Sequence, residues 1–292
     1  MAGLAFSLCL YQKERCGEIQ EARNTGILYN RLLILLNETE EGSTFYHIAL
    51  MMLQNMGSLS SLSINEVADT CCVSKSTISK FIRVLGYADY AEFRAATIFE
   101  DNKYGNPYNY INDVMGYLQH HTYKEYAHQM ARDIEQTAAE LDWDAIDRLV
   151  QDLITYQKVV AVGLMFSGTA AMDLQVKLGY CGKFIVTNIN DNKQMESVLH
   201  ADKDTLLIVF SDSGQYIDRY QSIDDFYHKD AFSVTKAKVV LITSEESMVH
   251  DPRISYSILF RHGCDVRTHR TTYHFITDMI AWRYREVTHA KK

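Results

Sequence analysis

The chain has 292 residues, which suggests about two domains, and 47% of them are hydrophobic, enough to build packed cores. The formal net charge of -8 excludes a protein that coats nucleic acid with a broadly basic surface, but it leaves room for a local basic face. No apolar run approaches the roughly 20 residues of a membrane helix.

The cysteines and the start of the chain indicate the compartment. The six cysteines are scattered and include no CxxC pair, a pattern typical of free thiols in a reducing cytosol. Residues 1–15 contain a short apolar patch, but no basic residue precedes it and no small-residue cleavage site follows it. We therefore expect a cytoplasmic protein without a signal peptide.

Residues 1–104 are predicted to form a small all-helical domain. Apolar residues recur at helical spacing in ILYNRLLILLN, FYHIALMMLQNM and YAEFRAATIFE. The following stretch, EDNKYGNPYNYIND, combines Asn, Gly and Pro and predicts a linker, which we place at residues 105–124. A second domain is then expected over residues 125–292.

Within the first domain, SINEVADTCCVSKSTISKFIRVLG (residues 63–86) predicts two short helices joined by a turn. Ser63 and Glu66 have the spacing of a capping box, Ser74 is a second N-cap, and Gly86 ends the second helix. This arrangement is typical of a helix-turn-helix, whose second helix enters the major groove of DNA.

The second of these helices carries the predicted DNA contacts. From Cys71 onward the segment has basic residues and no acid, although the chain as a whole is acidic. An ordinary solvated helix face is the alternative interpretation. The predicted DNA-binding residues are the polar and basic ones of this helix: Ser74, Lys75, Ser76, Thr77, Ser79, Lys80 and Arg83.

This region resembles the N-terminal domain of RpiR-type transcriptional regulators. The family pattern runs I-x-E-hydrophobic-A, V-S-x-x-T-I-x-[RK]-F, L-G-[YF] and then E-F. Cys72 stands where the family usually has the glycine of the turn, and a positive φ there would cost about 1 kcal/mol. The matching residues are Ile64, Glu66, Ala68, Val73, Ser74, Thr77, Ile78, Lys80, Phe81, Leu85, Gly86, Tyr87, Glu92 and Phe93.

The second domain is predicted to be α/β, with a parallel sheet flanked by helices. A long helical pattern beginning at YKEYAHQM comes first, and the final RTTYHFITDMIAWRYREVTHA is again helical. Helix-like segments separate short apolar runs rich in β-branched residues, which favours parallel strands covered on both faces. These runs are KVVAVG (158–163), KFIVT (183–187), TLLIVFS (205–211) and KVVLITS (238–244).

Two loops after these strands are candidates for binding a phosphate. Ser167 lies near the start of the helix after the first strand, where free backbone N–H groups suit an anion. Ser211, Ser213 and Gly214 follow the third strand, at the edge where open α/β sheets hold ligands. Either loop taken alone is more typical of an ordinary turn.

Together, the loops and strands resemble the sugar isomerase (SIS) domain, the usual C-terminal half of RpiR-type regulators. The resemblance implies that a phosphosugar binds at Ser167, Ser211, Ser213, Gly214 and Gln215. Three residues depart from the family pattern, since Met165 replaces the second glycine of G-x-G-x-S, Asp212 adds a carboxylate, and Tyr216 replaces a threonine. The carboxylate would repel a phosphate if it pointed toward it.

The function that these features favour is a DNA-binding transcriptional regulator of sugar metabolism that senses a phosphosugar. One basic helix gives few phosphate contacts, so two half-sites and a homodimer or homotetramer are expected. We expect no catalytic residue, no metal site and no cofactor, since the histidines lack zinc-motif spacing. The alternatives are a phosphosugar isomerase with a helical N-terminal extension, and a protein-binding adaptor whose helix-turn-helix no longer binds DNA.

Overall fold

The computed structural model describes residues 25–97, 111–219, 231–263 and 266–290. The chain divides into two compact units, Met1–Asp113 and Val114–Lys292. Several features discussed above lie outside the described residues: residues 1–24, the first part of the expected linker (105–110) and Cys264. Within the described residues, no helix is long and apolar enough to cross a membrane.

The N-terminal unit is helical throughout residues 25–97, as predicted. Its core is built from side chains that are fully buried, such as Leu32, Ile48, Met52, Phe81 and Phe93. The Phe45 and Phe81 rings meet edge to face at 5.5 Å. Its helices are α1 (Thr25–Glu38), α2 (Thr44–Gln54), the 3-10 turn Met56–Ser61, α3 (Ile64–Thr70), α4 (Lys75–Val84) and α5 (Tyr90–Ala96).

The C-terminal unit begins with helices and continues as an alternating α/β domain. The described part of the expected linker is itself helical over residues 111–120. The early helices are the π-helical turn Ile111–Met115, α6 (Gly116–His120), α7 (Tyr123–Glu140) and α8 (Trp143–Thr155).

The alternating part of this unit runs in chain order β1 (Lys158–Val162), α9 (Phe166–Tyr180), β2 (Val186–Thr187), α10 (Asp191–Leu199), β3 (Thr205–Phe210), α11 (Gln215–Arg219), α12 (Ala231–Val234), β4 (Lys238–Thr243), the 3-10 turn Glu246–His250, β5 (Tyr256–Leu259) and α13 (His269–His289).

A parallel five-stranded sheet in the order β2-β1-β3-β4-β5 forms the centre of the unit. The central strand β3 is buried along its whole length, because both faces of the sheet are covered. Leu206 and Ile208 pack on the side of α8, α9 and α13, whereas Leu207 and Val209 pack toward α10 and α12. The predicted fold class, an all-α N-terminal domain followed by a parallel α/β domain, is confirmed.

The sheet differs from the prediction in two strands. The run at residues 183–187 pairs with β1 only through Val186 and Thr187. β5 was not predicted, since it has only four residues, of which three are partly exposed and one is Ser257. It is the edge strand beside β4, in register through Ile242 and Ile258.

Candidate functional site

The helix-turn-helix is held by its predicted caps. Ser63 Oγ accepts a hydrogen bond from Glu66 N at 3.3 Å, and Glu66 Oε2 accepts one from Ser63 N at 2.7 Å, which completes the capping box. Cys72 has a φ of +52° in the turn, where the related family usually has glycine. Gly86, with a φ of +89°, lies just past the end of α4 as expected.

Ser74 starts α4 by capping it. Its Oγ accepts a hydrogen bond from Thr77 N at 3.2 Å and lies 2.8 Å from both the Ser76 and the Thr77 hydroxyl oxygens. On the inner side of α4, Ile78, Phe81 and Ile82 are buried. The buried stripe and the cap together fix which face of α4 points outward.

The outward face of α4 carries the predicted basic residues. Lys75, Ser76, Lys80 and Arg83 are exposed, and within the described part of the chain none of the three cations forms an ion pair. Ser79 is half-buried and its hydroxyl donates to Lys75 O at 3.1 Å. Lys75, Lys80 and Arg83 are therefore available to a partner. Ser76 is exposed, but its hydroxyl is hydrogen-bonded to Ser74, which together with Thr77 is engaged in the cap.

The two predicted ligand loops follow β1 and β3, which are neighbours in the sheet. The chain passes from β1 to β2 on one side and then crosses to β3 on the other, so the strand order reverses between β1 and β3. Such a reversal leaves a crevice outside the carboxyl ends of the strands, and open α/β sheets bind their ligands there. The structure thus places Ser167 and the 211–215 turn at the same edge of the sheet.

The first loop packs tightly against its own helix. A Cβ on Gly163 would lie 2.7 Å from the backbone of Ser167, so only glycine allows α9 to start this close to β1. Ser167 is buried in the first turn of α9, and its N–H donates to Leu164 O at 2.9 Å. Met165 precedes the helix with φ +50° and ψ -116°.

The second loop is a buried turn from β3 into α11. Ser211 is buried, and its Oγ accepts a hydrogen bond from Tyr216 N at 3.2 Å. Ser213 and Gln215 are half-buried. Gly214 has a φ of +70°, which favours glycine, and a Cβ there would lie 2.4 Å from Met248 Cγ, so the Met248 side chain would have to move.

A buried bridge that sequence reasoning missed joins the two loops. Gln194 Oε1 accepts hydrogen bonds from Gly163 N at 3.0 Å and from the Tyr216 hydroxyl at 2.6 Å, while Nε2 donates to Gly163 O at 2.8 Å. Tyr216, which replaces the family's threonine, is therefore a structural partner of the first loop. Burial raises the pKa of Tyr216 well above its usual value, so the hydroxyl stays a neutral donor.

The Asp212 carboxylate points toward the ends of β4 and β5. Its Oδ1 accepts from Ser244 Oγ at 2.8 Å and from His262 Nε2 at 3.0 Å, and its Oδ2 accepts from Arg267 Nη1 at 3.2 Å. Burial alone would raise the pKa of Asp212, but the neighbouring histidines and arginine outweigh it and hold that pKa well below its usual range. These partners compensate the charge that would otherwise repel a phosphate in the neighbouring turn.

Two histidines beside Asp212, the half-buried His262 and the buried His269, have pKa values shifted in opposite directions. Burial disfavours the charged form of His262, but the Asp212 carboxylate outweighs it and raises the His262 pKa. Burial lowers the pKa of His269 to about 4, and its Nδ1 lies 3.8 Å from Asp212 Oδ2. Both histidines come from the RHGCDVRTH stretch, and no spacing in the sequence indicated that they would lie beside Asp212, which is 50 positions before the first of them.

Comparison with known proteins identifies the N-terminal region. Residues 37–103 match the helix-turn-helix domain of the rpiR family, which confirms the resemblance seen in the sequence. A Providencia stuartii protein named as an HTH-type transcriptional regulator in the aarA 3' region is 22% identical over 195 residues, or 64% of this chain and 66% of that protein. The chain thus spans just under two thirds of that relative's length.

Two further similar proteins cover more of their own length. The HTH-type transcriptional regulator TTE0211 of Caldanaerobacter subterraneus is 22% identical over 217 residues, or 69% of this chain and 75% of that protein. The structure of the Vibrio vulnificus NanR protein complexed with ManNAc-6P is 16% identical, with a TM-score of 0.47, and the match covers 89% of this chain and 92% of that one.

Proposed function

Because the chain carries a helix-turn-helix domain of the rpiR family, we propose that it is a DNA-binding transcriptional regulator whose C-terminal domain senses a phosphorylated sugar. The observation that carries this proposal is the outward face of α4, where Lys75, Lys80 and Arg83 stand exposed on a chain of net charge -8. Phosphate neutralisation requires such cations, whereas a purely structural helix face does not.

The geometry of α4 supports contact with the major groove. In helix-turn-helix proteins the N-terminal part of the second helix contacts base edges, and Lys75 and Ser76 occupy that part here. Lys80 and Arg83 lie one and two turns further along, where phosphate contacts are expected. A single helix of this kind neutralises few phosphates, so operator DNA with two half-sites and a dimeric protein belong to the proposal.

The effector half of the proposal rests on the loops after β1 and β3. The loop with Ser211 and Ser213 and the N-terminus of α9 both follow strands at the reversal point of the sheet, and hydroxyl groups and free backbone N–H groups suit a phosphate. Asp212 supports this because its carboxylate is engaged by His262 and Arg267. We propose binding without turnover, since both nitrogens of the His262 imidazole are engaged, Nε2 with Asp212 Oδ1 and Nδ1 with Gly263 O, each at 3.0 Å.

The proposal is tested by the double variant Lys80→Ala and Arg83→Ala. The probe is a duplex selected by the wild-type protein from a random pool, titrated by fluorescence anisotropy at several salt concentrations. We expect weaker binding and a salt slope reduced by about 0.9 for each phosphate that the variant no longer neutralises.

A matched control removes the same charge elsewhere. Lys124 and Arg132 are exposed on α7, and the double variant Lys124→Ala and Arg132→Ala should leave affinity and slope near those of the wild type. If the α4 variant and this control give the same affinity and slope, α4 does not bind DNA and the proposal fails.

A further inference from the structure

The helix α9 is apolar on its inner and its outer side. Its inner side, which includes Leu174 and Leu178, is fully buried against the sheet and α13. Its outer side carries Met172, Val176 and Tyr180 at a spacing of four residues, exposed by 43%, 57% and 90%. A helix with two apolar sides is normally covered on both, and no described residue covers the outer side of α9.

The apolar surface continues from α9 onto the edge of the sheet. Phe184 and Val186 are exposed by 80% and 60%, and they alternate with the buried Lys183 and Ile185 as in a strand. Gln175 Nε2 donates a hydrogen bond to Ile185 O at 2.8 Å, which holds this segment alongside α9. We call the surface formed by Met172, Val176, Tyr180, Phe184 and Val186 the α9–β2 patch.

The α9–β2 patch is large and carries no uncompensated charge. Two nearly fully exposed rings and three aliphatic side chains amount to roughly 600 Å², at the upper limit for a free monomer and close to the ~800 Å² that each partner contributes to a stable interface. The charged residues that flank it are paired, since Lys177 lies 2.7 Å from Asp173 and 2.7 Å from Asp278.

We propose that the α9–β2 patch is the interface with a second copy of this chain, formed by a twofold contact of α9 with α9. The inference rests on the proposed function, because a helix-turn-helix protein that binds two half-sites needs a symmetric partner. Two copies that each carry a net charge of -8 repel one another, so an uncharged apolar surface is where they can meet.

The experiment compares the full-length wild type with the double variant Tyr180→Asp and Phe184→Asp by sedimentation velocity over a concentration series. We expect a dimer or larger assembly for the wild type and at least a hundredfold higher dissociation constant for the variant, because it removes two ring anchors and places two charges in the interface. Both side chains are exposed in the monomer, so circular dichroism should show an unchanged fold.

The control variant Tyr123→Asp and Val234→Asp adds the same charge at exposed apolar residues outside the patch, 73% and 57% exposed, and should assemble as the wild type does. If the patch variant proves unstable, the milder Tyr180→Ser variant must still raise the dissociation constant. A monomeric wild type, or a patch variant that assembles as the control does, overturns the proposal.

Failure of the interface and failure of the proposed function give different results. If the wild type assembles through the patch but binds no selected duplex, the interface stands and the regulator proposal fails. If the wild type is monomeric and hydroxyl-radical footprinting shows Tyr180 protected, another part of the same chain covers the patch, and the second-copy proposal fails while DNA binding is unaffected.

Discussion

Met165 adopts a backbone conformation that side chains avoid. Its φ of +50° with a ψ of -116° lies outside the regions open to residues with a Cβ, and such strain costs on the order of 1–3 kcal/mol. The conformation persists because its surroundings fix it, since Gly163 packs against the start of α9 and Gln194 holds the Gly163 backbone. A strained residue beside a candidate ligand loop is consistent with a geometry kept for binding.

The strain at Met165 predicts that the glycine variant is more stable than the alanine variant, the reverse of the usual order. Glycine is ordinarily about 0.4–1 kcal/mol less stable than alanine because its unfolded state is freer. At this position we expect Met165→Gly to be more stable than Met165→Ala by about 1 kcal/mol, because only glycine relieves the strain. Urea unfolding followed by tryptophan fluorescence measures it, since both tryptophans, Trp143 and Trp282, lie in the C-terminal unit.

The control for this comparison is an exposed position in an ordinary helix of the same unit. At Glu196 in α10, alanine should be more stable than glycine by about 1 kcal/mol. If Met165 shows the same order as Glu196, the strained backbone assignment is wrong.

Single residues were predictable from the sequence where their role is local. The helix-end residues bind or act on backbone groups only a few positions away, so their spacing in the sequence was enough to predict their roles. They are Ser63, Glu66, Ser74 and Gly86. The bridging role of Gln194 was not predictable, because Gly163 lies 31 positions earlier and Tyr216 lies 22 positions later along the chain.

At the scale of elements, patterns predicted helices and buried strands but not every boundary. The helical pattern that begins at residue 123 appears continuous in the sequence, yet α7 ends at Glu140 and Asp142 caps α8 by accepting from Ala145 N at 3.1 Å. The sequence shows apolar periodicity on both sides of this break, so nothing in the period marks it. The edge strand β5 escaped prediction because an edge needs less apolar sequence than a buried strand.

Within α4, capping and DNA contact are expected to be separable. Ser74→Ala removes the hydroxyl that accepts from Thr77 N and should destabilise the helix by about 1 kcal/mol, whereas Ser76→Ala, at an exposed residue, should change stability by less than about 0.5 kcal/mol. Hydrogen–deuterium exchange of peptides spanning α4 should accelerate in the first variant only. Affinity for the selected duplex should fall in the Ser76 variant without faster exchange.

Ser74→Thr is the matched control, because threonine also caps a helix N-terminus. It should restore slow exchange in α4. If exchange is faster in Ser76→Ala than in Ser74→Ala, Ser74 is not the residue that caps α4.

At the scale of the whole molecule, the candidate ligand site depends on strand order. The sequence placed Ser167 and Ser211 after two strands, but only the order β2-β1-β3-β4-β5 makes those strands neighbours. The same order brings Ser244 and His262, which follow β4 and β5, onto Asp212. Because parallel strands are joined by long crossovers, such neighbours are distant in sequence and no local pattern reveals them.

The proposed regulator must couple its two units. We therefore expect one variant to lose effector affinity alone and another to lose DNA affinity alone when each ligand is measured without the other. The effector probe is the hexose 6-phosphate or N-acetylhexosamine 6-phosphate that most raises the melting temperature of the wild type. Ser213→Ala should weaken the binding of that probe by roughly ten- to a hundredfold, which is the effect of one hydrogen bond to a charged group. It should leave the affinity for DNA, measured without effector, unchanged. Lys80→Ala should weaken DNA binding and leave effector affinity without DNA unchanged.

Ser211 is left unchanged in this experiment, because its Oγ accepts a hydrogen bond from Tyr216 N and its removal would disturb the start of α11. Titrations of DNA with and without effector, and of effector with and without DNA, give the coupling free energy in both directions, and linkage requires the two values to agree. In Ser213→Ala the shift in DNA affinity should vanish at effector concentrations that saturate the wild type and return only at concentrations roughly ten- to a hundredfold higher. If the variant responds at the wild-type concentration, the effector does not bind at the β3–α11 turn, and Asp212 with its histidine and arginine partners serves the fold alone.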